Sequence, residues 1–247
     1  MSQHLDIAIE AAKKAGELLR ENYETDLVVD AMHDHDIKLN LDVRSQDLIT
    51  DCLLTAFPEH ALYGEEGIAG DTDSEWQWVV DPIDGTVNYF YGIPHFCVSI
   101  ALRHKEKIVL GVIYDPMSDE LWTVEKDGSP TLNGRTIKAS SRDQLKDTVM
   151  TIGFSKTKES MDVGLERYKN IAYKVRKTRM LGSAALALAY ISCGRLDAYI
   201  EESISLWDVA AGILLVENAG GKVELTPLSS GTEQYAIVAT NGKITFD

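Results

Sequence analysis

The chain has 247 residues, of which 45% are hydrophobic and 26% are charged, so it can bury a sizeable core and has an ordinary globular composition. Its 39 acidic residues outnumber its 24 basic residues and give a net charge of −15, which argues against binding along a nucleic-acid backbone. Cys52, Cys97 and Cys193 lack the spacing of zinc ligands, so we expect free thiols. No run approaches the roughly 18 apolar residues of a membrane span. We therefore expect a cytoplasmic protein that does not bind membranes.

The N-terminal residues predict two scaffold helices. Leu5, Ala8 and Ala12 recur at helical spacing and indicate an amphipathic helix near residues 3–23. A short strand at residues 27–29 and a solvated polar loop at residues 30–36 are expected next. Asp42 opens the second helix, where it is either a helix cap or part of a site.

A pair of glutamates follows a short strand predicted at residues 61–63. Glu65 and Glu66 are flanked by Gly64 and Gly67, and the glycines permit an unusual backbone conformation. One glutamate can therefore point inward while its neighbour faces water.

Two further carboxylates follow an apolar strand predicted at residues 76–80. Asp81 and Asp84 are expected in a turn that Gly85 closes. Because Pro82 holds Asp81 extended, this turn brings the second carboxylate back toward the first. The candidate donors are all oxygens: the carboxylates of Asp81 and Asp84, the carbonyl of Ile83 and the hydroxyl of Thr86. Such a set suits Mg²⁺, although the same residues also favour an ordinary surface turn.

The remaining pattern predicts a large sheet and then a second layered unit. Antiparallel strands are expected at residues 96–102, 107–114 and 120–124, with a hairpin turn at Asn133-Gly134. Beyond residue 140 we expect a strand at 148–152, helices at 158–173 and from Gly182, a strand at 197–201, and a buried helix at 206–218 closed by Gly220-Gly221. The chain is therefore predicted to form two subdomains, residues 1–140 and 141–247, within one compact α/β unit.

Four acidic residues at predicted strand ends and helix starts indicate a metal site. They are Glu65, Asp81, Asp84 and Asp208. Two Mg²⁺ ions would balance their four charges, and divalent pairs about 4 Å apart are used in phosphoryl transfer. The N–H groups of Gly85 and Thr86, opening a short helix, offer a seat for an anion. Hydrolysis of phosphate esters is the chemistry that this combination favours. The sequence has no G-x-S-x-G and no G-x-x-x-x-G-K-[ST] motif.

Three motifs in this order resemble those of the inositol monophosphatase family. They are Gly64-Glu65-Glu66, Asp81-Pro82-Ile83-Asp84-Gly85-Thr86-x-Asn88 and Trp207-Asp208-x-Ala210-Ala211-Gly212. The resemblance covers nearly the whole chain. It implies an αβαβα sandwich of the sugar-phosphatase type, usually a homodimer, that hydrolyses small phosphorylated polyols or sugars with two or three Mg²⁺ ions. Li⁺ or Ca²⁺ are the inhibitors that it implies.

The resemblance also implies a metal-binding role for five residues. Glu65, Asp81 and the Ile83 carbonyl would bind one metal ion. Asp81, Asp84 and Asp208 would bind the second, and Asp84 and Asp208 would also contact the substrate. Glu65, with waters, would bind a third and weaker ion.

The resemblance also implies roles in catalysis and substrate binding. Thr86 would orient the attacking water, with its hydroxyl bonded to Asp42. The N–H groups of Gly85 and Thr86 would hold the phosphate, while Ala184 and Glu201 would line the pocket for the alcohol. The residues assigned to catalysis are Thr86, Asp42, Glu65 and Asp84.

The sequence departs from the family pattern before Asp42. The family commonly has D-[LI]-V-T-x-x-D, whereas this chain has Asp36-Ile37-Lys38-Leu39-Asn40-Leu41-Asp42, with no threonine. Residues 30–36 also lack a clear match to the family's lysine-bearing hairpin. Binding of the third metal and sensitivity to Li⁺ are left open by these departures.

Several substrates and one other class of function stay open. Inositol-1-phosphate is the leading substrate, with fructose 1,6-bisphosphate, NADP⁺, 3′-phosphoadenosine 5′-phosphate and histidinol phosphate as alternatives. Arg179 could contact a second phosphate, and Tyr190 or Tyr199 could stack on a base, although both tyrosines also fit a core. The chain could instead be a regulatory interaction protein with a vestigial site, although no ligand of the motif is missing.

Overall fold

The computed structural model describes residues 2–25, 27–33, 36–154, 157–228 and 232–246. Their helices are α1 (Gln3–Glu21), α2 (Asn40–Ala56), α3 (Thr86–Phe90), α4 (Lys158–Ala172), α5 (Ala184–Ser192) and α6 (Leu206–Asn218). Their strands are β1 (Val29–His33), β2 (Asp36–Leu39), β3 (Ala61–Gly64), β4 (Gly67–Gly70), β5 (Trp76–Asp84), β6 (Cys97–His104), β7 (Lys107–Asp115), β8 (Glu120–Glu125), β9 (Thr131–Leu132), β10 (Arg135–Thr136), β11 (Val149–Ile152), β12 (Lys177–Arg179), β13 (Ala198–Ser205), β14 (Lys222–Pro227) and β15 (Gln234–Thr240). None of the described helices is both long enough and apolar enough to cross a bilayer.

The first helix forms where the spacing of apolar residues predicts it. The buried face of α1 is built largely from alanines, including Ala8, Ala11 and Ala15, and these small side chains permit close packing against α2 and the sheet. The Ser2 hydroxyl caps the helix by accepting a hydrogen bond from Leu5 N at 3.3 Å. The helix therefore belongs to the scaffold.

An eight-stranded sheet has the order β10-β9-β8-β7-β6-β5-β3-β4. Its strands β5 to β8 are consecutive and antiparallel, which confirms the prediction made for β6 to β8. The hairpin β9–β10 turns at Asn133 and Gly134, which both have positive φ. The strand β3 runs parallel to β5, so Glu65 follows β3 at the same edge of the sheet that Asp81 and Asp84 approach.

A five-stranded sheet has the order β12-β11-β13-β15-β14. The strand β11 is parallel to both of its neighbours, whereas β15 is antiparallel to both β13 and β14. The expected elements include none after Gly221 and none at Lys177–Arg179, and the expected strand before α6 ends too early. The strands β12 and β14 are short or largely exposed, so they lack the continuous apolar run that marks a buried strand. The strand β15 does have such a run, at residues 235–239 with Ile237 and Ala239 buried, so its pattern does predict a strand.

The two sheets and their helices form five layers. The helices α1 and α2 cover one face of the large sheet, and α5 and α6 lie between the two sheets. The helix α4 packs on the outer face of the small sheet. The predicted αβαβα sandwich is therefore confirmed. The division into subdomains at residue 140 falls between β10 and β11 and stays a prediction.

The segment before α2 differs from the expectation. Instead of a strand followed by a loop, β1 and β2 form an antiparallel hairpin, and residues 34 and 35 lie outside the described part of the chain. The alternation of Ile37 and Leu39, which are buried, with Lys38, which is exposed, is the strand signal here. Lys38 forms an ion pair with Glu66, so a lysine-bearing hairpin does lie beside the glutamates.

Candidate active site

A bulge in β5 sets the direction of the first two carboxylates. Asp81 pairs with Ser99, and Asp84 pairs with Cys97, so three steps along β5 are matched by two along β6. Residues three apart on a regular strand face opposite sides, but the extra residue turns both carboxylates toward the same side. The predicted turn is therefore wrong, because the strand continues to Asp84. Pro82, which has no N–H to donate, lies inside the bulge.

The third carboxylate comes from the helix that lies between the two sheets. Asp208 is in the first turn of α6, and its Oδ2 accepts a hydrogen bond from Ser205 N at 2.9 Å. Ligand oxygens of Asp81, Asp84 and Asp208 lie within 4.8 Å of one another. Asp208 is therefore both a helix cap and a member of the acidic cluster.

Glu65 lies at the edge of this cluster. Its N–H donates to Val80 O at 3.1 Å, which anchors the residue beside the end of β5. Glu65 lines the same cavity as the three aspartates. Its charge is also among the causes that raise the pKa of Asp81.

The electrostatics of the cluster favour a cation. Burial raises the pKa of Asp81 well above its usual range, and the nearby Glu65, Asp84 and Asp208 raise it further. Burial also raises the pKa of Asp84, against the opposing effect of its hydrogen bonds. Buried carboxylates resist ionisation together unless a positive charge compensates them. Because the donors are carboxylate oxygens, the set fits a hard divalent cation such as Mg²⁺.

Asp84 is held by the N-terminus of α5. Its Oδ2 accepts hydrogen bonds from Ser183 Oγ and from Ala185 N at 2.7 Å, and its Oδ1 accepts from Ala184 N at 3.2 Å. The sequence predicts the helix start that contains Ser183, but it does not predict the contact of Ser183 with Asp84. A serine before a run of alanines predicts a helix cap, but it does not reveal that the helix end meets a carboxylate from another layer.

Thr86 connects the strand end to the helix α2. Its Oγ1 lies 2.9 Å from Ile83 O and 3.3 Å from Asp42 Oδ1. Asp42 also caps α2, since its Oδ2 accepts from Leu39 N at 2.7 Å. Asp42 therefore caps α2 and also contacts Thr86, while its role in catalysis stays a prediction. Burial raises the pKa of Asp42 to about 7.

Gly85 permits the backbone to turn between β5 and α3. Its φ is 100°, and a Cβ placed there would lie 3.1 Å from His95 O and 3.2 Å from Gly182 O. A side chain would therefore be strained by the backbone angle and crowded from both sides. Asn88 braces this region, because its Nδ2 donates to His95 O and Leu181 O, each at 2.8 Å.

The opposite wall of the cavity comes from the small sheet. Glu201 on β13 is buried, and Oε2 of this residue accepts a hydrogen bond from Tyr199. A Cβ at Gly153 would collide with the same oxygen, so the glycine makes room for Glu201. The cavity has a volume of about 470 Å³. The predicted site residues that line it are Glu65, Asp81, Ile83, Asp84, Gly85, Thr86, Ala184, Glu201 and Asp208.

Two residues that were considered for the substrate lie elsewhere. Arg179 is exposed, and its guanidinium donates to Thr178 O at 2.9 Å. Tyr190 packs against Trp122 and beneath Arg195, whose Cζ lies 5.1 Å from the tyrosine ring centroid. Neither residue lines the cavity. Tyr199 does line it, but as the hydrogen-bond partner of Glu201 rather than as an exposed platform.

The fold and the site define a layered α/β protein whose cavity carries the kind of carboxylate cluster that binds divalent cations. The chain belongs to the inositol monophosphatase family, whose sequence model matches residues 1–243. Inositol monophosphatase 2 of Solanum lycopersicum is 40% identical, over 99% of this chain and 96% of its own length. Nus factor SuhB of Pasteurella multocida is 38% identical, over 90% of this chain and 85% of its own length.

A solved structure confirms the fold. The extragenic suppressor protein SuhB from Bartonella henselae is 35% identical, with a TM-score of 0.90 over 98% of this chain and 95% of that chain. The relatives thus include proteins named as inositol monophosphatases and proteins named as SuhB. Membership of the family supports a phosphatase, and the acidic cluster fits a metal site.

Proposed function

We propose that the chain hydrolyses small phosphate monoesters of polyols with Mg²⁺, and that inositol-1-phosphate is its preferred substrate. The observation that carries this proposal is the convergence of Asp81, Asp84 and Asp208, with ligand oxygens within 4.8 Å of one another. Glu65 and the Ile83 carbonyl complete the proposed ligands for two or three ions. Bound Mg²⁺ supplies charge neutralisation for the phosphate and lowers the pKa of a coordinated water.

The remaining steps are assigned to side chains and backbone of this site. The Thr86 hydroxyl has a single proton, so a bond to Asp42 or to Ile83 O leaves its lone pairs free to accept a hydrogen bond from a water. Thr86 can thereby orient that water for attack on phosphorus. The N–H groups of Gly85 and Thr86 are proposed to hold the phosphate oxygens.

The far wall of the cavity supports a hydroxyl-rich leaving group. Its polar lining includes Glu201, Tyr199, Thr151, Ser203 and Gln234. Such groups exchange hydrogen bonds with the hydroxyl groups of a polyol.

The charge of the lining favours a single phosphate. All the charged residues among the described lining residues are acidic: Glu65, Asp81, Asp84, Glu201 and Asp208. The first phosphate is offset by the metal ions, but a second phosphate beside Glu201 would be repelled. We therefore propose monophosphates ahead of fructose 1,6-bisphosphate, NADP⁺ and 3′-phosphoadenosine 5′-phosphate.

A substrate panel tests the proposal. We expect kcat/KM with Mg²⁺ to be highest for inositol-1-phosphate when it is compared with histidinol phosphate and the three bisphosphorylated or nucleotide substrates above. Excess EDTA should remove the activity and added Mg²⁺ should restore it. A bisphosphate as the best substrate would contradict the assignment of the leaving-group wall, and turnover in EDTA would contradict the metal site.

Three further properties are proposed on the resemblance to the family. We propose that the chain forms a homodimer, which light scattering of the purified protein tests. Li⁺ and Ca²⁺ are proposed as inhibitors, and titration of each into the Mg²⁺-dependent assay tests them. The ion pair between Lys38 and Glu66 places the β1–β2 hairpin beside the proposed third-metal ligand Glu65, which supports Li⁺ sensitivity.

A second candidate function follows from relatives that are named Nus factor SuhB. The chain could act chiefly as a regulatory interaction protein. Stoichiometric capture of a macromolecule, combined with negligible turnover of every ester in the panel, would favour this candidate. Turnover of inositol-1-phosphate that the Asp84→Asn substitution removes would favour the phosphatase.

A further inference from the structure

Ser99 is a buried hydroxyl directly opposite a proposed metal ligand. It lies on β6 and pairs with Asp81 on β5. The residue is 1% exposed, and its Oγ has no hydrogen-bond partner among the described residues. A hydroxyl that is buried without a partner destabilises the folded chain relative to alanine, so its presence here requires an explanation.

The side chain of Ser99 points toward the acidic cluster. Cys97 and Ala101, which flank it at two-residue spacing, belong to the core between the large sheet and the helices α5 and α6. Val79 belongs to the same core, and Asp81 follows it at the same spacing. Side chains two residues apart on a strand share a face, so Ser99 and Asp81 lie on one side of the sheet. Cβ atoms of directly opposite residues are about 5 Å apart.

The neighbouring pair provides a precedent within the same two strands. Cys97 pairs with Asp84, and its thiol donates to Asp84 Oδ2 with a distance of 3.6 Å between the sulfur and the oxygen. The strand β6 thus places a small side chain with a proton to donate opposite each carboxylate of the bulge. Because the Cys97 thiol donates to Asp84, which lies opposite it, the equivalent acceptor for the Ser99 hydroxyl is Asp81.

We infer that Ser99 is a positioning residue for Asp81, whose carboxylate accepts its hydrogen bond when the site binds a divalent cation. This inference rests on the proposed metal site. Ser99 does not line the cavity, so it has no contact with substrate and acts through Asp81 alone. A donor behind a metal-binding carboxylate fixes its orientation, and loss of such a donor typically weakens metal binding by about 10- to 100-fold.

The substitution Ser99→Ala separates this role from a purely structural one. In EDTA we expect the variant to melt about 2 °C above the unaltered chain, because it no longer buries an unpaired hydroxyl. In calorimetric titrations with MgCl₂ we expect its Kd for Mg²⁺ to rise by about tenfold or more. A side chain that served packing alone would not change stability and metal affinity in opposite senses.

Ser192→Ala is the matched control. Ser192 is as fully buried, but its Oγ donates to Ala189 O at 2.7 Å near the end of α5, away from the cluster. We expect this variant to bind Mg²⁺ with unchanged affinity. If the unaltered chain binds Mg²⁺ and Ser99→Ala binds it within twofold, the inference is overturned while the proposed function stands. If the unaltered chain binds no Mg²⁺, both are overturned.

Discussion

Two buried aspartates of this protein have opposite surroundings. Asp197, which precedes β13, accepts hydrogen bonds from Arg142 Nε at 2.8 Å, from Val149 N at 2.8 Å, and from Ser140 and Asn241. Asp81 accepts one from Ile83 N at 3.0 Å and otherwise faces other acidic side chains. Both residues are almost fully buried, so burial alone does not distinguish them.

The partners of a buried carboxylate distinguish a structural role from a functional one. The donors of Asp197 include a cationic guanidinium, so its charge is balanced by the chain itself, and the residue ties residues 140–142 to the small sheet. The neighbours of Asp81 raise the pKa of its carboxyl, so it ionises readily only when a cation from outside balances its charge. A buried acid among acids therefore indicates a cation site, whereas a buried acid among donors indicates a structural brace.

The largest loss of activity is expected from substitution of Asp84. Substitution Asp84→Asn removes a charged ligand while keeping the size of the side chain, and we predict that kcat falls by at least about a hundredfold. The amide oxygen can replace Oδ2, but the amide NH₂ cannot accept from Ala184 N as Oδ1 does. We expect little change in the melting temperature in EDTA, because the loss of this hydrogen bond is offset by the removal of a buried acid among acids. The measurements are kcat for inositol-1-phosphate at saturating Mg²⁺ and a thermal melt. Full activity in this variant would remove the proposed mechanism.

The same substitution at Asp197 should affect stability instead. Asp197→Asn weakens a charge-assisted network, and we predict a loss of about 2–3 kcal/mol in the free energy of unfolding. Urea denaturation measures that loss, and kcat of the folded protein at 20 °C should change by less than about twofold. If Asp197→Asn lost activity without losing stability, the distinction between the two carboxylates would fail.

The sequence predicts the five layers better than it predicts the geometry of the site. The helical period of Leu5, Ala8 and Ala12 and the apolar runs of β5 to β8 carry enough signal to place scaffold elements. The three motifs that resemble those of the family identify the acidic residues that converge. The exposed strands β12 and β14 carry no comparable apolar pattern, and they were missed for that reason.

The bulge in β5 is a part of the site geometry that the sequence alone does not predict. Asp-Pro-x-Asp-Gly is compatible with a tight turn, and only the pairing with β6 reveals a continued strand with one extra residue. The contact of Ser183 with Asp84 joins segments 99 residues apart, so it depends on the tertiary fold and no local spacing encodes it. The contact of Tyr199 with Glu201 is local instead, because side chains two residues apart on a strand share a face.

In the absence of metal, substitution of Asp81 should raise stability, whereas substitution of Asp197 should lower it, and the change at Asp81 should be smaller. Burial and the acidic neighbours raise the pKa of Asp81 in the folded chain, which costs stability at neutral pH. Asp81→Asn removes this cost, so we predict an increase of about 1 kcal/mol in stability in EDTA, or roughly 2–4 °C in melting temperature. The increase in melting temperature that Mg²⁺ gives the unaltered chain should be lost in the variant. A fall in stability like that of Asp197→Asn would mean that Asp81 is a structural brace after all.

The smallest change in activity is expected from substitution of Glu201, which shares features with both Asp81 and Asp197. It accepts a hydrogen bond from Tyr199, as a braced carboxylate does, and it also lines the cavity, as the acids of the cluster do. Glu201→Gln keeps the shape but replaces charge-assisted hydrogen bonds with weaker neutral ones. We predict that KM for inositol-1-phosphate rises by about fivefold, corresponding to roughly 1 kcal/mol.

A second substrate and a second glutamate serve as controls for this prediction. p-Nitrophenyl phosphate has no hydroxyl groups to bond with Glu201, so its KM should be nearly unchanged in Glu201→Gln. Glu202 follows on the opposite face of β13, where it pairs with Arg167 at 2.8 Å, and Glu202→Gln should leave KM for both substrates unchanged. An equal rise in KM for both substrates in Glu201→Gln would show a general disturbance of the cavity. A rise in KM confined to inositol-1-phosphate would show that Glu201 binds substrate. It would then resemble Asp81, which is proposed to bind a ligand, rather than Asp197, which braces the fold.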